Sequence, residues 1–241
     1  MRVLSISNSF GEDSCRYLHQ IAKAGGEKLE VVTLYIGGCT LERHYRNMLG
    51  DKQAYDLIFN GQRTGFTVSM QEALLSRPWD VIVLQQQSSN SAHADSFQPY
   101  DEALYEFCKE CAPKAKILLL QTWAYEAGSE KLEKAGWQTP EAMFEAIEAS
   151  YQQCCDRLGI DGIIPGGKLF MKMLEQGVAK VHRDTFHASF GLGRYALGLL
   201  WYRMLTGRTV ADNPFCQLDE PAEEAEIAIV KKCVDSFTPA L

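Results

Sequence analysis

Residues 2–10 read Arg2-Val3-Leu4-Ser5-Ile6-Ser7-Asn8-Ser9-Phe10, a run of apolar and small residues that closes on a polar pair. Its length and lack of helical spacing predict a buried strand, and that strand runs straight into Ser9. Similar apolar runs recur at 29–36, 80–85, 116–121 and 159–165. Helical spacing separates them, at 13–24 (stopped by Gly25-Gly26), 69–75, 100–112 and 140–158. Apolar strands alternating with helices predict an α/β protein: a three-layer α/β/α sandwich around a central, mostly parallel sheet buried on both faces. Residues 55–59 and 64–69, joined across Asn60-Gly61, predict a hairpin inserted in the second crossover. A long apolar helix is expected at 189–205 and an amphipathic C-terminal helix at 222–236. The polar stretch 126–138, with Gly128 and Gly136, reads as an excursion or lid loop. No linker interrupts the pattern, so residues 1–241 are expected to form one domain.

The 241 residues are 46% hydrophobic, enough to bury a full core. The formal net charge of -7 and the lack of a basic block argue against nucleic acid and anionic membranes as partners. No apolar stretch is long enough to span a bilayer. The first apolar run is too short for a secretory leader, so a cytoplasmic protein with reduced thiols is expected. Cys108-Lys109-Glu110-Cys111 has redox or zinc spacing, but it falls inside a helical pattern and lacks a second pair. The five histidines are scattered with no paired ligand spacing, and no glycine-rich nucleotide motif is present. No metal and no organic cofactor is therefore expected.

Open parallel sheets bind ligands beyond the carboxyl ends of their strands. That rule selects the loops at 7–13, 37–44, 85–91, 121–126 and 165–168. Ser9 lies in the first. A serine hydroxyl becomes a nucleophile when a histidine takes its proton and a carboxylate orients that histidine. Asp184-Thr185-Phe186-His187, just before the long apolar helix, supplies both groups. Gly37-Gly38 allows a backbone N–H to approach a reacting oxygen. Among Gln85, Gln86, Gln87 and Asn90, a side-chain amide either donates to that oxygen or satisfies loop carbonyls. His44 reads as a pocket wall or surface residue, and Trp123 and Tyr125 as a surface on which a sugar could stack.

The order of these segments resembles the GDSL-like or SGNH hydrolase family. The stretches 36–44 (IGGCTLERH), 80–88 (DVIVLQQQS) and 121–125 (QTWAY) look like a poorly characterised SGNH-like branch common in gut bacteria. The resemblance spans residues 3 to about 207 and implies a flavodoxin-like fold. It implies Ser9 as nucleophile, Asp184 and His187 as its partners, and the N–H groups of Ser9 and Gly38 as part of the oxyanion hole. Two blocks depart from the family. Its usual Gly-Asp-Ser is Ser7-Asn8-Ser9 here, and its Gly-x-Asn-Asp is absent, with Gln86 taken as the substitute donor. The implied activity is hydrolysis of carboxylic esters, with short acyl groups on a small molecule or saccharide as the expected substrate. A catalytically weak carbohydrate-binding protein of the same fold and an O-acyltransferase are the alternatives.

Overall fold

The computed structural model describes all residues 1–241. β1 (Arg2–Ser7) is followed by α1 (Ser9–Cys15), α2 (Leu18–Ala24), β2 (Glu30–Tyr35) and α3 (Leu41–Leu49). A hairpin of β3 (Tyr55–Phe59) and β4 (Gln62–Val68) leads into α4 (Met70–Leu75), β5 (Val81–Leu84), α5 (Tyr100–Cys111) and β6 (Lys116–Gln121). The chain continues through α6 (Glu130–Lys134), α7 (Pro140–Leu158), β7 (Gly162–Pro165), α8 (Gly166–Glu175), α9 (Leu192–Thr206) and α10 (Glu224–Asp235).

The seven strands form one sheet in the order β4-β3-β2-β1-β5-β6-β7. The five strands from β2 to β7 run parallel, and the hairpin adds two antiparallel strands outside β2. The parallel part has the flavodoxin-like order, which reverses direction beside β1 and opens a crevice there. Helices α1, α2, α8, α9 and α10 cover one face, and α3, α4, α5 and α7 the other. The expected three-layer α/β/α sandwich with a mostly parallel central sheet is the fold observed. Val3, Leu4, Ile6, Val81 to Leu84 and Ile117 to Leu120 are all buried, as strands covered on both faces require. None of the eight cysteines is disulfide-bonded.

Three elements differ from expectation, each for a local reason. The helix expected at 13–24 begins at Ser9 and breaks near Tyr17, giving α1 and α2. Asn8 holds an extended backbone and its side chain accepts from the Phe10 N–H, so it caps α1 ahead of Asp13. Residues 165–168, expected as a loop, join β7 directly to α8. Gly167 makes this junction possible, because a Cβ there would lie 2.4 Å from the Thr122 carbonyl oxygen. The lid stretch 126–138 contains α6, capped by Ser129 and anchored by buried Leu132.

Gly11 fixes how α1 meets the sheet. A Cβ at that position would come within 2.1 Å of Ser7 Oγ, so the first turn of α1 rests directly on the end of β1.

Candidate active site

Ser9 opens α1 at the carboxyl end of the central strand, where the strand order reverses. Its hydroxyl lies 2.9 Å from His187 Nε2, although the two residues are 178 positions apart in sequence. His187 Nδ1 lies 2.8 Å from Asp184 Oδ2. A carboxylate only accepts, so Nδ1 carries the proton and Nε2 is left to accept from the Ser9 hydroxyl. Asp184 also takes the His187 backbone N–H on its other oxygen, at 2.9 Å. One carboxylate therefore holds both the ring and the main chain of the histidine. Between them Thr185 sits at φ +73, a strained conformation for a β-branched residue, and its carbonyl accepts from the Glu126 N–H. Burial pushes the Asp184 carboxyl up, but the two His187 hydrogen bonds and the nearby Arg183 charge outweigh it and hold the group below its ordinary value.

Ser9 and His187 border a cleft of about 410 Å³ that Asn8, Gly37, Gly38 and Gln87 also line. Gly38 has φ +60, a left-handed turn that suits glycine. The N–H groups of Ser9 and Gly38 find no acceptor within the protein. Asn8 ties the two loops together: its Nδ2 donates to the Cys39 carbonyl at 3.0 Å, and its Oδ1 accepts from Gln85 Nε2 at 2.8 Å. A second, more apolar cavity of about 510 Å³ lies between Tyr125, Phe170 and His182 and contains neither Ser9 nor His187.

Four of the expected side chains occupy other roles. Gln86 is buried and fully engaged: its Nε2 donates to Ser96, and its Oε1 accepts from the Leu41 and Gln87 N–H groups. It braces three loops and has no hydrogen left for an oxyanion. Gln87 faces the cleft instead, and its Oε1 gathers Ser89 and Asn90, which leaves its Nε2 unbound within the protein. Asn90 lies in that turn and does not line the cleft. Trp123 is completely buried, stacked 4.1 Å from Phe10, and its Nε1–H donates to the Phe186 carbonyl. It supports the floor of the site and offers no face to a sugar. Tyr125 is buried too, paired through its hydroxyl with Ser88 Oγ at 2.9 Å.

His44 is also corrected, from pocket wall to core. It is buried beside Tyr55, with Nδ1 3.0 Å from the tyrosine hydroxyl. Burial pushes its imidazole down to about 3, and burial pushes that of His182 down to about 4. An unfolded histidine titrates near ~6.5, so below that pH the unfolded chain takes up protons that the native state refuses. Stability is therefore full above about pH 6.5 and falls as the pH drops toward the folded values, by at most about 1.4 kcal/mol per pH unit for each histidine. Denaturant titrations at several pH values should give a shallower slope for His44→Leu than for wild type. Identical slopes would mean that His44 titrates normally.

Sequence reading passed over the ion-pair network behind the site. Asp13, on α1, accepts from Arg183 Nη1 at 2.9 Å and from Arg194 Nε at 2.8 Å, and Arg194 and Arg16 both reach Asp219. Arg183 immediately precedes Asp184, so this network clamps the histidine loop onto the helix that begins with Ser9.

A family model described as "Domain of unknown function (DUF4886)" matches residues 2–233. A crystal structure of a DUF4886 family protein from Bacteroides uniformis superposes with a TM-score of 0.90 at 27% identity, covering 98% of this chain and 93% of that one. A protein from Slackia heliotrinireducens, provisionally assigned as an SGNH hydrolase, has a TM-score of 0.61 at 22% identity over 85% of this chain and 98% of its own. An acetylxylan esterase from Geobacillus stearothermophilus has a TM-score of 0.51 at 14% identity over 84% of this chain and 90% of its own. At the last two identities the likeness is one of fold. No curated protein matches the sequence. No helix is long and apolar enough to cross a membrane.

Proposed function

The chain belongs to the DUF4886 family, and we propose that it is a serine esterase with Ser9 as nucleophile, His187 as base and Asp184 as the orienting carboxylate. The observation that carries this reading is the unbroken hydrogen-bond chain from Ser9 Oγ through the His187 ring to Asp184. Its neutral state already has each proton where the reaction needs it.

In the acylation step Ser9 Oγ bonds to the ester carbonyl carbon while its proton moves to His187 Nε2. The carbonyl π pair becomes an oxyanion, which the Ser9 and Gly38 N–H groups stabilise, with Gln87 Nε2 as the third donor in place of Gln86. The oxyanion collapses, the bond to the leaving oxygen breaks, and His187 returns its proton to that oxygen. Water then attacks the acyl-serine by the same route, releasing the acid and restoring the Ser9 hydroxyl. A short acyl group on a saccharide or other small alcohol is the substrate class that this open polar cleft favours.

A fluorophosphonate probe should add its mass to the peptide containing Ser9, with turnover of p-nitrophenyl acetate in the same sample. Absence of both in folded protein would end the esterase reading in favour of a binding module.

Gln87→Ala should lower kcat by about 10²- to 10³-fold, the usual cost of one oxyanion donor, with little change in KM. Gln86→Ala should instead lower the melting temperature, because it frees buried N–H and carbonyl groups. An unchanged kcat in Gln87→Ala would return the third donor to another group.

A further inference from the structure

A further hollow of about 610 Å³ shares Lys131 with the catalytic cleft and is bordered by Ser89, Ser129, Glu130, Lys134 and Thr185. Lys131 lines both spaces and stands between them. Its ammonium lies 3.6 Å from the centre of the Phe186 ring and 5.4 Å from that of Tyr125. The Phe186 ring in turn packs, tilted by 37°, against the His187 imidazole at 3.8 Å.

The other cations around this mouth are matched, and the half-exposed Asp184 carboxylate has Arg183 beside it at 3.9 Å. Lys134 pairs with Glu130 at 2.7 Å, Arg183 with Asp13 at 2.9 Å, and Glu12 with Arg63 at 2.8 Å. Lys131 forms no ion pair, so one uncompensated positive charge stands at the mouth of the cleft in a protein of net charge -7. Aromatic faces hold an ammonium in place without neutralising it. A cation kept free in this way is available to a ligand.

His187 must protonate the leaving alcohol, so the alcohol part of an ester bound at Ser9 extends past His187, toward Lys131 and the adjoining hollow. Resting on the esterase reading, we propose that this hollow is the leaving-group subsite, and that Lys131 selects esters whose alcohol carries a carboxylate or phosphate. The serine and threonine hydroxyls around the hollow suit the remaining polar groups of such an alcohol.

The test compares three aryl acetates, 4-acetoxybenzoate, 4-acetoxyphenyl phosphate and methyl 4-acetoxybenzoate, on wild type, Lys131→Met and Lys131→Glu. The ratio of kcat/KM for an anionic ester to that for the neutral methyl ester should fall about tenfold in Lys131→Met and further in Lys131→Glu, and added salt should reduce the wild-type ratio. The two anionic substrates report separately whether carboxylate or phosphate is preferred. Because the readout is a ratio, general damage to the site cancels. Turnover of all three esters with the same ratio in every protein would overturn the subsite and leave the esterase reading standing. If wild type turns over none of them, calorimetric binding of 4-hydroxybenzoate decides. Binding lost in Lys131→Met supports the subsite without the chemistry, and no binding, or equal binding, overturns it.

Discussion

Ser9→Ala should lower the rate of ester hydrolysis by roughly 10⁴- to 10⁶-fold with no loss of folding stability, because it removes the nucleophile and leaves only binding and the oxyanion donors. The Ser9 side chain bonds only to His187, across an open cleft, so its loss leaves no buried group unsatisfied. Asp184→Asn makes the companion case. An asparagine can present an N–H to Nδ1 as easily as an oxygen, which favours the wrong tautomer and should cost about 10⁴-fold in kcat. Steady-state kinetics on p-nitrophenyl acetate, with circular dichroism on the same samples, check both. Ser9→Ala that retains more than a small fraction of wild-type turnover would exclude a serine mechanism at this site.

Asp13→Ala should be the most damaging single change to stability among the charged residues. Asp13 is 1% exposed and neutralises Arg183 and Arg194, which are 21% and 12% exposed. Removing the carboxylate takes away the buried counter-charge that two largely buried guanidinium groups share and leaves them only the more exposed Asp219 and Asp184, a loss of about 3 kcal/mol once that partial compensation and exposure are allowed for. For a chain of this size that corresponds to a fall in melting temperature on the order of 10 °C. Activity should decline further than stability does, since Arg183 anchors the segment holding Asp184 and His187. Thermal denaturation of Asp13→Ala and Arg194→Ala measures the first effect. A melting temperature within a degree or two of wild type would show that solvent already screens the network.

The architecture was legible because burial on both faces leaves a strong mark. Residues 81–84 and 117–120 carry no polar residue at all, which only a covered sheet tolerates. Ser9 and the Asp184-x-x-His187 pair were legible because strand ends and short turns are local. Which glutamine faces the cleft was not. Alternation of faces ends at Leu84, and beyond it the directions of Gln85, Gln86 and Gln87 depend on contacts with Asn8, Ser96 and Ser89. Those partners lie up to 77 residues away. Trp123 looked like a binding surface because it is an aromatic just beyond a strand's carboxyl end, whereas its burial is decided by Phe10 from the first helix. His44 was misread for the same reason, since Tyr55 comes from the inserted hairpin. Lys131 and Asp13 gave no signal, because an unpaired lysine and a buried aspartate look alike in a sequence.

The 178-position separation of Ser9 and His187 shapes biosynthesis. Ser9 is synthesised well before His187, the residue that holds its hydroxyl. On the proposed mechanism, every nascent chain that ends before His187 carries a serine with nothing to deprotonate it. The proposed hydrolytic competence then arrives late, when α9 docks against α1 and α2 and brings the histidine loop with it. A fragment that ends before His187 would, on the same mechanism, be inert toward esters whatever its state of folding.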